Sequence, residues 1–131
     1  MERKLLIAGC SFAVIAVILG ALGAHAVEKV LEPQQLKSFE TGVRYQLFHA
    51  IALLIFSQIS LLNDSSKGVV FYLFVIGIIL FSFSIYGLSL SKWLDINLKF
   101  LGPVTPLGGL SLIGGWLFAL WKIIAHNSVN N

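Results

Sequence analysis

Four long apolar segments dominate this chain, and they restrict it to one environment. The first runs from Leu5 to Ala24 without a charged side chain. The second, Tyr45 to Leu62, is interrupted only by Gln46, His49, Gln58 and a few serines. The third, Gly68 to Ser91, is again uncharged, and the fourth, Pro106 to Ala125, carries Lys122 near its end. A helix that crosses a bilayer needs ~20 mostly apolar residues, and each segment comes close. Apolar residues make up 57% of the chain and charged ones 11%, against roughly 45–50% and about 25% in soluble domains. A chain of 131 residues has too much surface to hide that excess in a water-soluble core. Lipid covers it instead. Transmembrane strands alternate polar and apolar side chains, and these segments do not, so they are read as helices. The expected fold is an all-α membrane protein, with residues 1–131 forming one domain. It is an up-and-down bundle of four transmembrane helices, with a polar helical extension leading into the second.

The connections carry the remaining information. Arg3-Lys4 before an apolar run, with Ala24-His25-Ala26 after it, resembles a secretory signal. The run exceeds the usual ~7–15 residues and three more segments follow, so it is read as an uncleaved first helix. Ile7-Ala8-Gly9-Cys10 has too short an apolar stretch before it to act as a lipoprotein signal. Glu32-Pro33 reads as a helix start, because proline suits the first helical turn. From there the helix is expected to run to Leu62, with Leu36, Phe39 and Val43 on one face, lying along the membrane surface or capping the bundle. Asn63 to Lys67 reads as a tight polar turn and Lys92 to Thr105 as a longer mixed connection, with Trp93 and Phe100 suited to the interface. Asn127 to Asn131 reads as a mobile polar tail. With an even number of crossings both termini share a side. That side would hold Arg3, Lys4, Lys67 and Lys122, and the other Lys29, Lys37, Arg44, Lys92 and Lys99. The two sets are too even for the positive-inside rule to choose.

Small residues supply the packing surfaces. Helices in lipid associate by close backbone approach, since lipid is as apolar as leucine. Gly9, Ala13, Ala16, Gly20 and Ala24 form one stripe on the first segment. Ser84, Gly87 and Ser91 form another on the third, and Ser111 and Gly115 a further one on the fourth, beside Gly108, Gly109 and Gly114.

The polar residues fall at particular segment ends. His25 closes the first segment; Arg44, Tyr45, Gln46 and His49 open the second; Tyr86 and Ser89 close the third; Thr105 and Pro106 open the fourth. Alternating helix directions would gather these at one mouth of the bundle, with His49 about a turn below the interface. Thr105 is expected to cap the fourth helix, whose free N–H groups could face an anion near Arg44. Ionisable residues within a span are functional candidates. Interfacial His, Tyr and Arg also commonly reach out to headgroups without any further role.

Three stretches resemble one family. Gly20-Ala21-Leu22-Gly23-Ala24-His25-Ala26 is similar to its G-A-x-G-A-H block. Thr41 to Ala50 and Leu101 to Gly109 are similar to its second and third blocks, and Ser84-Ile85-Tyr86 fits its third span. The family comprises small bacterial inner-membrane proteins catalogued as domain of unknown function four hundred and twenty-three, with a small mitochondrial transmembrane relative. The resemblance implies a four-span, multi-pass protein of the cell inner membrane and supplies no activity. The Lys92 to Lys99 segment is longer than the family pattern.

The chemistry narrows the functional classes. No nucleophile and base share a recognisable spacing and no acid lies within a segment, so an enzyme is not expected. The net charge of +3 is spread without a basic stripe, which argues against nucleic acid. Cys10 is alone, so no disulfide or Cys-based zinc site forms within one chain. A non-enzymatic accessory or scaffold protein is the leading expectation, with the lipid bilayer, a membrane-protein partner or a second copy as its contacts. The alternative is binding or transport of a small anion, lipid headgroup or proton by His25, Arg44, Tyr45, Gln46, His49 and Thr105. A bis-His haem protein is the weaker third. No cofactor or metal is expected.

Overall fold

With no internal proline and a nearly unbroken apolar run, the first helix, α1, extends over Glu2–His25. The computed structural model describes residues 1–129. A single short turn, Val27–Lys29, reverses the chain into α2, Pro33–Gln58. Glu32 is the N-cap in extended conformation, and its N–H donates to the Gln35 side-chain oxygen at 3.3 Å. This is the expected Glu32-Pro33 start.

α2 stops at Gln58, short of Leu62. The Ser57 hydroxyl donates back to the Leu54 carbonyl at 2.6 Å, and the Lys67 ammonium donates to the Ser57 carbonyl at 2.9 Å. The second of these donors satisfies a terminal carbonyl that a longer helix would have bonded internally. Asn63 to Lys67 is not the turn itself. Asn63 caps α3, Asp64–Ile78, by accepting the Ser66 N–H at 2.9 Å. Asparagine is among the strongest N-caps, and the polar run that reads as a loop is the start of a helix.

A π-helical turn, Ile79–Phe83, joins α3 to α4, Ser84–Ser91, so that Asp64–Ser91 forms one continuous rod. The connection that follows contains Asp95 at φ 53°, a left-handed conformation that aspartate tolerates better than most residues. α5 spans Val104–Val129. The expected polar tail is therefore helical as far as Val129, and its last two residues lie outside the described part.

α1 packs on α2, α5 packs on α3, and α2 lies against the α3–α4 rod in the middle. The main core joins Leu5, Leu53, Phe56, Phe74, Ile78 and Leu112; a smaller cluster holds Leu31, Phe39 and Tyr86. Several glycines are contact points. A Cβ on Gly9 would lie 2.9 Å from the Ala50 carbonyl oxygen, and one on Gly77 2.4 Å from Leu112. At Gly115 it would meet Phe74 at 2.5 Å, at Gly87 Leu101 at 2.7 Å, and at Gly108 the Phe81 backbone nitrogen at 2.3 Å. Ala16 is buried on α1, Ala13 and Gly20 are half-buried, and the Ser111 hydroxyl donates to the Leu73 carbonyl at 2.7 Å.

The all-helical four-rod fold is as expected. Three stretches, Glu2–Lys29, Asp64–Ser91 and Lys99–His126, are long and apolar enough to cross a membrane. α2 is equally extended but more polar. Its Gln46 and His49 are buried against neighbouring helices, the position in which polar side chains are tolerated at membrane depth.

Candidate functional site in the polar layers of the bundle

The placement of α2 decides where the polar residues go. Its first half does not lie on a membrane surface. Phe39 packs at Gly23 of α1 and Val43 at Gly20, so this half runs beside the last turns of α1. His49 then lies ~24 Å along α2 from Pro33, at 1.5 Å per residue. The group expected at one mouth is thereby split into a layer at mid-bundle and a separate set at the end.

The mid-bundle layer is hydrogen-bonded throughout. Gln46, fully buried, donates from Nε2 to the Phe12 carbonyl of α1 at 2.8 Å. Its Oε1 accepts the Tyr86 hydroxyl of α4 at 2.8 Å. The Ser82 hydroxyl in the π-helical turn donates to the Gly42 carbonyl at 2.8 Å. Gly42 has no side chain to obstruct this approach, since a Cβ there would lie 2.7 Å from the Tyr86 ring. One glutamine thus ties three helices.

His49 forms the second tie. Its Nδ1 is 2.8 Å from the Tyr45 carbonyl, and its Nε2 is 3.1 Å from the Trp116 indole N–H of α5. A carbonyl can only accept and an indole N–H can only donate. These partners require the neutral tautomer with its proton on Nδ1. The ring also meets Phe74 edge-on, with centroids 5.2 Å apart. Tyr45 is partly exposed and packs on Phe81, with centroids 5.1 Å apart. A cleft of about 340 Å³ lies between Tyr45, His49, Phe81, Leu112 and Trp116.

His25 and Arg44 do not join this layer. Both are exposed, and His25 lies ~20 Å along α1 from Phe12, the level at which Gln46 sits. A haem bridged by His25 and His49 finds no shared cavity, and both His49 nitrogens are already engaged. Among the described residues no group of three or more His, Cys, Asp or Glu is placed to hold a metal. Thr105 is not the cap of α5. The helix begins one residue earlier, at Val104, and the Thr105 hydroxyl turns back to Ser84 Oγ at 2.6 Å and the Leu101 carbonyl at 3.5 Å.

At the end of the bundle where α2 and α5 begin there is a cavity of about 650 Å³. Glu32, Gln34, Gln35 and Ser38 of α2, Ile85, Leu88 and Ser89 of α4, and Gly102, Thr105 and Pro106 line it. Glu32 pairs with Lys92 at its edge.

The opposite end holds a feature that the sequence reading passed over. Lys67 is 4% exposed, and its ammonium meets Glu2 at 2.8 Å as well as the Ser57 carbonyl. Asp64 also pairs there with the chain's amino group at 3.0 Å. The signal was available as opposite charges on adjoining helix ends. Trp116 was likewise missed, although an indole N–H inside a span needs an acceptor and His49 was a candidate.

Comparison with known proteins adds a family and no activity. Residues 19–109 match a family described as protein of unknown function (DUF423). The UPF0382 membrane protein YwdK of Bacillus subtilis (strain 168) is 36% identical over 129 residues, 95% of this chain and 98% of its own. The UPF0382 inner membrane protein YgdD of Escherichia coli (strain K12) is 34% identical over 123 residues, 91% of this chain and 88% of its own. The UPF0382 membrane protein SH2409 of Staphylococcus haemolyticus (strain JCSC1435) is 33% identical over 118 residues, 90% of this chain and 93% of its own. No solved structure matches.

Proposed function

The chain belongs to the DUF423 family of inner-membrane proteins, and from that premise we propose that it is a non-enzymatic accessory or scaffold protein of the membrane. The names of the three relatives above specify no reaction. The observation that carries this reading is the saturation of the mid-bundle layer. Gln46, His49, Tyr86 and Ser82 bond one another's helices. These bonds run between helices, and their effect is to lock helix positions.

A locked bundle with apolar flanks suits a partner in the bilayer plane. α1 presents Ile7, Val14, Val17 and Ile18 outward, and α5 presents Leu110, Ile113, Leu117 and Leu120. Either flank can meet lipid, a second copy or another membrane protein. In-membrane crosslinking from cysteines placed at Val17 or Leu117, followed by mild solubilisation, tests this. The expected result is a defined adduct heavier than the 14.3 kDa chain. Only uncrosslinked, monodisperse monomer from both positions would sink the reading.

A further inference from the structure

We propose that the groove between α1 and the first half of α2 binds a phospholipid whose headgroup carries a primary ammonium beside its phosphate, as phosphatidylethanolamine does. Glu40 takes the ammonium and Arg44 the phosphate, and the acyl portion continues along α2 into the bilayer.

The groove exists because α1 is small-sided where it meets α2. Gly20 and Gly23 of α1 and Val43 and Leu47 of α2 line it, together with the exposed residues Glu40 and Arg44. A Cβ on Gly20 would meet only Val43, at 3.5 Å, so the space over that glycine is open. The groove's volume is about 250 Å³. Sites that enclose a whole small molecule run to roughly 300–1,000 Å³. This one suits part of a larger molecule whose chains stay in the bilayer.

The charges identify the occupant. One stripe of α2 reads Lys37, Glu40, Arg44, Phe48, Ile51 and Ile55, all exposed and spaced by three or four residues. It turns from charged to apolar after Arg44. The neighbouring Val43 packs at Gly20, ~8 Å along α1 from His25. At that level α1 presents Ile18 and Leu22 outward. Arg44 therefore stands at the inner edge of the headgroup layer, with hydrocarbon beginning one turn further on. Among the described residues neither Glu40 nor Arg44 has an ion pair, whereas Glu2, Glu32 and Asp64 are each paired. Ionic groups at such depth are costly without a counter-charge. Glu40 lies about one turn, ~6 Å, nearer the membrane face than Arg44. Phosphoethanolamine presents its charges in the same order, with the ammonium outermost and the phosphate beneath it, next to the glycerol. The planar donors of arginine match phosphate, and a carboxylate accepts from a primary ammonium. A headgroup with phosphate alone leaves Glu40 unbalanced, and a quaternary ammonium has no N–H to donate.

The test uses the full chain in nonionic detergent, with native mass spectrometry for lipid binding and thermal unfolding to verify the fold. The probes are dioleoyl phosphatidylethanolamine, phosphatidylcholine and phosphatidylglycerol. Wild type is expected to bind the ethanolamine lipid about tenfold more tightly than the other two, the usual effect of one hydrogen bond to a charged group. Arg44→Gln is expected to weaken binding of all three. Glu40→Gln should weaken only the ethanolamine lipid, to the level of the choline lipid. Combining Glu40→Arg with Arg44→Glu keeps the net charge, reverses the order of the charges and should abolish the preference. Lys37→Gln, one turn nearer the water, should leave all three affinities unchanged. Lys37, Glu40 and Arg44 are exposed and have no ion pair among the described residues, so lipid-free unfolding temperatures should match wild type. Equal binding of the ethanolamine and choline lipids by wild type, or tighter binding of phosphatidylglycerol, would overturn the proposal. So would a preference retained in Glu40→Gln or in the reversed variant, or a loss in Lys37→Gln as large as in Arg44→Gln.

Discussion

Replacing Gln46 with leucine should expose how much of the bundle's stability rests on one side chain. Gln46 is fully buried and bonds α1 and α4 at 2.8 Å each. Interhelical hydrogen bonds inside membranes contribute ~0.6 kcal/mol on average and ~1.7 at most. The Phe12 carbonyl keeps its own helical amide, so its loss adds little. The Tyr86 hydroxyl loses its acceptor and keeps only the Ser82 hydroxyl beside it; a buried group left poorly satisfied costs about 1–3 kcal/mol. The total for Gln46→Leu is therefore about 2–4 kcal/mol. Tyr86→Phe alone leaves Gln46 without its donor and should cost about 1–2 kcal/mol. The double variant leaves neither orphan and should cost no more than Gln46→Leu alone. Unfolding in mixed micelles, followed by far-ultraviolet circular dichroism against the mole fraction of dodecyl sulfate, measures all three. A coupling of about 1–2 kcal/mol is expected. Additivity of the two single variants to within ~0.5 kcal/mol would refute the reasoning, because independent sites behave that way.

The same titration checks three further expectations. His49→Phe removes the acceptor of the Trp116 indole N–H and should cost about 1–3 kcal/mol; adding Trp116→Phe should return part of that loss. Gly108→Ala places a methyl 2.3 Å from the Phe81 backbone nitrogen, whereas Gly114→Ala meets nothing within 4 Å. The first should destabilise by about 1–3 kcal/mol, and the second should be neutral or stabilise by up to ~1 kcal/mol through helix propensity. Lys67→Met should cost about 1–3 kcal/mol, because it leaves the buried Ser57 carbonyl without its donor, while Lys67→Glu, facing Glu2 and the Ser57 carbonyl, should cost more than about 3 kcal/mol.

Residues that act through their near neighbours were legible before the structure. The apolar runs specified helices in a bilayer because apolar composition without alternation permits nothing else there. Pro33 marked the start of α2 because its ring fixes φ and its missing N–H is not needed in a first turn. The glycines at 9, 87 and 115 marked close approaches because only small residues permit them. The end of α2 and the cap of α5 were less legible. Both turn on side chains that reach across the fold, Lys67 to Ser57 in the first case and Thr105 to Ser84 in the second.

The pairing of polar groups was decided only by the tertiary structure. Gln46 and Tyr86 are 40 residues apart in sequence, and His49 and Trp116 are 67 apart. Their meeting depends on the rotation and offset of whole helices. Two features set these, and neither can be read from a hydrophobic period. One is the run of α2 beside the last turns of α1, which carries His49 to mid-bundle. The other is the π-helical turn at Ile79–Phe83, where the wider i→i+5 bonding shifts the faces of every residue that follows, Ser84, Tyr86 and Ser89 among them. Local chemistry therefore determined that this chain forms apolar helices in a membrane. Helix register, a property of the assembled bundle, determined which polar side chains are consumed in holding it together and left the Ser89 hydroxyl without a partner among the described residues.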